Sequence, residues 1–284
     1  MSDVSKAVLI TGCSTGIGRA TAERLAKGGW TVYATARKVD AIADLEAKGC
    51  KLLALDVCDE ASMSAAVAEV ERAEGAVGVL VNNAGYSQSG AVETVPLDQV
   101  RRQFETNVFG LIRMCQLVLP GMRRQHWGKI VNISSIGGKC TFPGGGIYHG
   151  TKHAVEGISD VLRFEVRGFG VDVTIIEPGL IKTQFGETAV GAIDATPDDG
   201  PYAEFNAAVA DVTAGAYEGG LGKLGGGPET VAKAIDRAIS KRRSPIRVPV
   251  TASARIVLFQ NAIMPDRAWD AMVSTQFPRP GADG

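Results

Sequence analysis

The sequence lacks three things: a cysteine pair at metal or redox spacing, a block of like charge, and an apolar run long enough to cross a bilayer. Its five cysteines, Cys13, Cys50, Cys58, Cys115 and Cys140, are odd in number and never form C-x-x-C. That argues against a disulfide framework and a metal site, and for a reducing cytoplasmic compartment. The 30 basic and 31 acidic residues are interspersed and leave a net charge of -1. Such a balance does not favour a nucleic-acid partner. The densest basic run, Lys241 to Arg243, closes a predicted helix, where cations complement the carbonyl end of the dipole. Near the C-terminus the longest apolar stretch, Ile256 to Met264, falls well short of the roughly 20 residues of a membrane span. It reads as a helix on the core or along a pocket. The opening "MSDVSKAVLITG" runs straight into an apolar strand without the regions of a signal peptide.

What is present is ordinary for a soluble globular chain: 45% hydrophobic and 21% charged residues over 284 positions, enough for one large domain. Short apolar runs alternate with helical patterns: Ala7–Thr11, Thr31–Thr35, Lys51–Leu55, Val77–Asn82, Lys129–Ser134 and Asp172–Glu177. Continuous apolar strands separated by helices predict a parallel sheet buried on both faces, hence an α/β, three-layer, doubly wound Rossmann-type domain. "SPIRVPV", Ser244–Val250, offers a seventh strand that its prolines restrict to a short or edge position. Residues 183–227, rich in Gly and Ala, read as a flexible substrate loop or lid with two short helices. Residues 228–276 supply C-terminal helices and the last strand, opened by Pro228 at a first helical turn, and 277–284 form a tail.

The first strand leads into "TGCSTGIGRA", Thr11–Ala20. Gly12, Gly16 and Gly18 let the backbone turn tightly and approach a pyrophosphate at the N-terminus of the following helix. This T-G-x-x-x-G-I-G spacing, between a strand and a helix, resembles the short-chain dehydrogenase/reductase family of the classical type. The resemblance extends to Asp56 and Val57 in "LDVCD", expected at an adenine ring, and to "NNAG", Asn82–Gly85, after the fourth strand. It implies a nicotinamide dinucleotide held by Gly12, Ser14, Thr15, Gly16, Ile17, Gly18, Asp56, Val57, Asn83, Ala84 and Gly85. In "EPGLIKTQF" it implies that Pro178 and Gly179 pass beside the nicotinamide, with Ile181 and Thr183 nearby.

At the end of the second strand, where an acid would accept hydrogen bonds from a ribose 2'-hydroxyl, "TVYATARK" offers Ala36 and Arg37. A guanidinium pairs a phosphate bidentately, so NADP(H) is favoured, with Lys38 as a second cation. NAD(H) stays open, because many NADP-using relatives also carry a basic residue just before the middle glycine, where this chain has Thr15.

In "IYHGTKHAVEG", Tyr148 and Lys152 stand four residues apart, on one helical face about 6 Å apart along the axis. His149 and His153 point elsewhere. A cation about 4 Å from a phenol favours the phenolate by about 4 kcal/mol at an effective dielectric near 20, about three pKa units before desolvation. Ser135 precedes the tyrosine by 13 residues, and Asn107 lies in "FETNVFG" within a predicted long helix. The family resemblance makes Tyr148 the proton donor and Ser135 the group that polarises the substrate oxygen. It makes Lys152 a tuner of the tyrosine that also binds the nicotinamide ribose, and Asn107 the holder of a relay water.

The implied reaction is hydride transfer between NADP(H) and a small-molecule carbonyl or secondary alcohol. Leu180, Phe185 and Phe142 indicate an apolar pocket, which Cys140 borders or merely packs behind. "VYATARK" and the extended C-terminal part resemble the steroid and retinol dehydrogenase branches. A catalytically retired regulator would lack part of the Tyr, Lys, Ser and Asn set, and none is missing. A sugar-nucleotide epimerase usually has a different glycine spacing and a longer substrate domain. By resemblance, the helices around Asn107 and Tyr148 make homodimer or homotetramer contacts.

Overall fold

A computed structural model of the chain describes residues 4–183, 191, 200–216 and 222–281. Seven strands form one sheet: β1 Val8–Ile10, β2 Val32–Ala36, β3 Cys50–Ala54, β4 Val79–Asn82, β5 Gly128–Ile133, β6 Val171–Glu177 and β7 Arg247–Pro249. Their order is β3-β2-β1-β4-β5-β6-β7, and every pairing is parallel. All six expected runs therefore form strands, β3 at one edge of the sheet. The seventh is a three-residue edge strand ending on Pro249, as a residue without an amide donor requires.

Among the described residues the helices are α1 Gly16–Lys27, α2 Glu60–Glu74, α3 Leu97–Phe104, α4 Gly110–Arg124, α5 Gly146–Val166, α6 Ala203–Gly215, α7 Pro228–Ser240, α8 Ala252–Ile263 and α9 Asp266–Val273. Strand alternation divides the core into two layers. Leu9, Leu80 and Ile130 pack on one face with Met63, Val67 and Val70 of α2 and Met114, Val118 and Met122 of α4. Val8, Ile10, Val79, Val81, Val131 and Ile133 face the other way, onto Ala22 and Leu25 of α1 and Val231, Ile235 and Ile239 of α7. Among the described residues no helix is long and apolar enough to cross a membrane.

Two expectations are refined. Asn107 does not lie in one long helix: α3 and α4 are joined by a π-helical turn, Glu105–Phe109. In the expected lid, 184–190, 192–199 and 217–221 lie outside the described residues, and so does Phe185. Its described part holds α6 and a 3-10 turn, Gly222–Leu224. Of the expected tail, 277–281 are described.

Chain reversal places β1 and β4 side by side, and the crevice beyond their carboxyl ends is where doubly wound sheets bind ligands. Polar links lock the strands below it. Asn82 of β4 lies opposite Asn132 of β5. Asn82 Nδ2 donates to Asn132 Oδ1 at 2.9 Å, and Asn132 Nδ2 donates to Ser159 Oγ of α5 at 2.8 Å. This relay is fully buried, so breaking it leaves amide and hydroxyl groups without water. Asn132→Leu should cost about 1–3 kcal/mol of stability, read as a lowered urea midpoint; an unchanged midpoint would mean the relay holds nothing in place.

Candidate active site

The glycine loop is shaped by close approach. Gly12 and Gly16 have positive φ, 73° and 57°, and a Cβ on Gly12 would stand 3.0 Å from Ala84 Cα. Gly18 faces the sheet: a Cβ there would collide with Gly12 O and stand 2.5 Å from Asn83 Nδ2. Asn83 Nδ2 donates to Thr11 O and Gly12 O, both at 2.9 Å, while Thr11 Oγ1 accepts from the amides of Asn83 and Ala84 at 3.0 Å. The loop is thus tied to the end of β4. Thr15 caps α1 with no side-chain hydrogen bond, and no acid stands in the first turn. Free amides and the positive end of the helix dipole therefore open onto the crevice, as an anion requires.

That crevice is a cavity of about 1140 Å³, lined by Gly12, Ser14, Thr15, Gly16, Ile17, Arg37, Asp56, Val57, Asn83, Ala84, Gly85, Tyr148, Lys152 and Thr183, among others. Its size, glycine floor and helix terminus fit a nicotinamide dinucleotide. Lys38 and Gly18 do not line it. Pro178, Gly179 and Ile181 line a second cavity instead, of about 900 Å³.

Both cavities meet at Ser134, Tyr148 and Thr183. Lys152 is 6% exposed; its Nζ donates to Ile133 O at 2.8 Å and stands 5.7 Å from the Tyr148 ring centroid. Burial pushes its pKa down to about 8, and the Glu156 charge one turn away opposes the fall. Ser135, two residues past the end of β5, caps the next turn, its Oγ accepting from Gly137 N at 3.1 Å. Ser135 lines the second cavity only. The adjacent Ser134 Oγ is buried with no hydrogen-bond partner among the described residues.

Asn107 lines neither cavity. Its Oδ1 accepts from Tyr86 N at 3.2 Å, and its Nδ2 donates to Tyr86 O at 3.0 Å and Thr151 Oγ1 at 3.1 Å. The side chain therefore ties the π turn to α5, one residue before Lys152, rather than satisfying its own turn.

The second cavity is mainly apolar. Phe142 and Leu180 line it as expected, joined by Val209 and Val212 of α6, Val257 of α8 and Trp269 of α9. Cys140 is buried behind it, its Sγ donating to Ile136 O. His149 does not line the first cavity, in keeping with its helical spacing from Tyr148 and Lys152; it lines this second one, which the face of α5 beside Tyr148 borders. No local pattern marks Trp269 as a wall residue; the aromatic in "DRAWDAM" lies 128 positions from its partner Thr141 O. Among the described residues no cluster of three His, Cys, Asp or Glu side chains has the placement of a metal site.

A family model described as short chain dehydrogenase matches residues 6–192. The uncharacterized oxidoreductase YusZ of Bacillus subtilis is 34% identical over 278 residues, 94% of this chain and 97% of that protein. The 3-ketodihydrosphingosine reductase of Bacteroides thetaiotaomicron is 42% identical over 179 residues, 63% of this chain and 65% of its own. A solved short-chain dehydrogenase from Streptomyces avermitilis superposes with a TM-score of 0.80 at 34% identity, covering 96% of each chain. Two other solved structures hold a nicotinamide dinucleotide. The closed form of a serine dehydrogenase is complexed with NADP+, with a TM-score of 0.74, 27% identity and coverage of 86% of this chain and 94% of that one. A short chain dehydrogenase/reductase from Burkholderia phymatum is in complex with NAD, with a TM-score of 0.78, 25% identity and 98% of each chain covered.

The lowered pKa of Lys152 makes its charge a stability cost. Between about pH 8 and 10.5 the unfolded chain holds a proton that the folded chain has released, so the wild type gains stability as pH rises through that window. At pH 7 the cost is fully present. Lys152→Met, offset by the lost bond to Ile133 O, should stabilise the dinucleotide-free protein by about 1–3 kcal/mol at pH 7. Denaturant titrations across pH check this: the advantage should fade above pH 8, and a variant less stable at pH 7 would refute it.

Proposed function

The chain belongs to the short-chain dehydrogenase family, and from that membership we propose that it transfers hydride between NADP(H) and an uncharged, apolar carbonyl or secondary alcohol. It is an NAD(P)-dependent oxidoreductase. The observation that carries the finer reading is the position of Tyr148 at the meeting of a dinucleotide-shaped cavity and an apolar one.

The dinucleotide, when bound, supplies or accepts the hydride at the carbonyl carbon. Tyr148 gives its phenolic proton to the substrate oxygen in reduction and takes it back in oxidation. Ser135 donates a hydrogen bond to the same oxygen and fixes its direction. Lys152, whose ammonium stands near the tyrosine ring, favours the tyrosinate and so eases proton release. Asn107 holds the π turn against Thr151, and the carbonyls that a π turn frees are the natural seat of the relay water. Arg37, on the wall of the first cavity, pairs the 2'-phosphate of NADP. The NAD complex of the Burkholderia phymatum protein and Thr15 before the middle glycine keep NAD as the second reading.

The ketone named in the Bacteroides thetaiotaomicron reductase supports a ketone here, and the apolar wall supports a hydrophobic one. The described helix α6 on the wall of that cavity supports the reading of residues 183–227 as its lid. Cysteine usage supports a cytoplasmic location. Exposed Phe109, Val161 and Phe164 beside α4 and on α5 support a homodimer or homotetramer, which sedimentation would test.

Tyr148→Phe should lower kcat at least 100-fold on any ketone the wild type reduces, with dinucleotide affinity retained. Persistent turnover would remove Tyr148 as proton donor. Arg37→Asp should shift the NADPH to NADH ratio of kcat/KM toward NADH by about tenfold or more; an unchanged ratio would take Arg37 out of the phosphate site.

A further inference from the structure

We propose that His149 is a specificity residue of the apolar cavity: its Nε2–H donates to an uncharged oxygen that the substrate carries a few bonds from the reacting carbonyl. The inference rests on the carbonyl reading above and names the class of ketone.

The tautomer follows from one contact. Phe142 N donates to His149 Nδ1 at 3.3 Å, so the proton of the neutral ring sits on Nε2. Burial pushes the His149 pKa down to about 4, with His153 acting in the same direction, which keeps the ring neutral near pH 7. The imidazole is built into its place. A Cβ on Gly137 would stand 2.5 Å from its Cδ2, and one on Gly145 would stand 2.9 Å from each ring nitrogen. Phe142 meets it edge-on, with centroids 5.9 Å apart. Only glycines at both positions leave room for this ring.

Nε2 itself has no hydrogen-bond partner among the described residues and belongs to a side chain that lines the cavity. A fixed donor on the wall of this pocket is met by water until a ligand oxygen replaces that water. Its neighbour is the proposed reaction centre: Ser135 Oγ and His149 Nε2 lie 3.5 and 3.1 Å from the same point, the Cβ position on Gly137. An oxygen accepting from Nε2 therefore sits close, along the substrate, to the one held by Ser135. The cavity wall contains no Asp, Glu, Lys or Arg among its described residues, so a carboxylate or ammonium there would be desolvated without a partner. The second oxygen thus belongs to a hydroxyl, ether, ester or ketone group, and the substrate class is a neutral β-oxygenated ketone with an apolar tail.

The test uses the full chain saturated with NADPH and a pair of ligands, a straight-chain methyl ketone and its β-hydroxy derivative of equal length. Binding is read by quenching of Trp269, which lines the same cavity, and turnover by NADPH consumption. The wild type should bind the β-hydroxy ketone at least about tenfold more tightly. In His149→Phe that ratio should fall toward one, and in His149→Gln, which keeps an amide donor, part of it should return. Should the variants not fold, nitrogen NMR of isotope-labelled histidine in the wild type gives the answer: the Nε2 resonance should move with the β-hydroxy ketone and hold still with the plain one. Equal affinity of the wild type for the pair, a preference that survives His149→Phe, or an unmoved Nε2 resonance overturns the inference. Selective binding without reduction of either ketone would instead refute the carbonyl-reductase reading and leave the recognition by His149 standing.

Discussion

An ammonium buried between a sheet and a helix is the constraint around which this site is arranged. Lys152 has lost nearly all contact with water, and the hydrogen bond from its Nζ to Ile133 O ties α5 to the end of β5. A charge in such a place is tolerable only if the surrounding elements cannot drift, since small displacements in a low dielectric cost much. The helix is accordingly pinned on both sides of the lysine. Thr151 accepts from Asn107, and Ser159 is reached through Asn132 from Asn82. These links run through three neighbouring elements, β4, β5 and the π turn, so Tyr148 is presented from a braced helix.

That rigidity is confined to one side. The first cavity is walled by the glycine loop and the ends of β1 to β5, where close backbone approach leaves little freedom for substitution: Gly12 lies against Ala84, and Gly18 against Gly12 and Asn83. The second is walled largely by helices C-terminal to Pro178, namely α6, α8 and α9. The fold thus separates a generic task, holding a phosphorylated cofactor with backbone amides, from a specific one, shaping an apolar space with side chains. Function of the second kind cannot be read from fold alone.

The same division explains how much was legible in the sequence. Strand positions followed from continuous apolar runs, and the edge placement of β7 from its prolines, because burial and the missing amide are local facts. Gly12, Gly16, Tyr148 and Lys152 were legible because their spacing encodes geometry within one turn or loop. The π turn was not: nothing in "FETNVFG" distinguishes it from an α-helix, and its cause is the tertiary bonding of Asn107 to Tyr86 and Thr151. Nor was the direction of His149. Helical periodicity separated it correctly from Tyr148 and Lys152, but the space it enters is made by Gly137, Gly145 and Trp269, brought together only on folding. Lys38 comes directly after Arg37, yet lies off the cavity wall: both stand past the end of β2, in the bend that leads into a 3-10 helix, where no strand period fixes which way a side chain faces.

The C-terminal segment contributes charge as well as shape. Arg247 of β7 pairs with Glu156 at 3.1 Å, Glu177 at 3.4 Å and Asp160, while Lys139 reaches Glu156 at 3.2 Å. Glu156 and Glu177 are both buried, and burial together with the Glu156 charge pushes the Glu177 pKa up to about 7. Three acids converge on this one guanidinium, and Glu156 faces Lys139 as well, so the raised Glu177 pKa marks a carboxylate that burial and the neighbouring acid leave incompletely compensated. The Glu156 charge also opposes the fall in the Lys152 pKa that burial causes. The edge strand is therefore linked to the lysine through Glu156, which Arg247 pairs and whose charge favours the ammonium. A three-residue edge strand ending on Pro249 thus carries the guanidinium that pairs the acid one turn from Lys152.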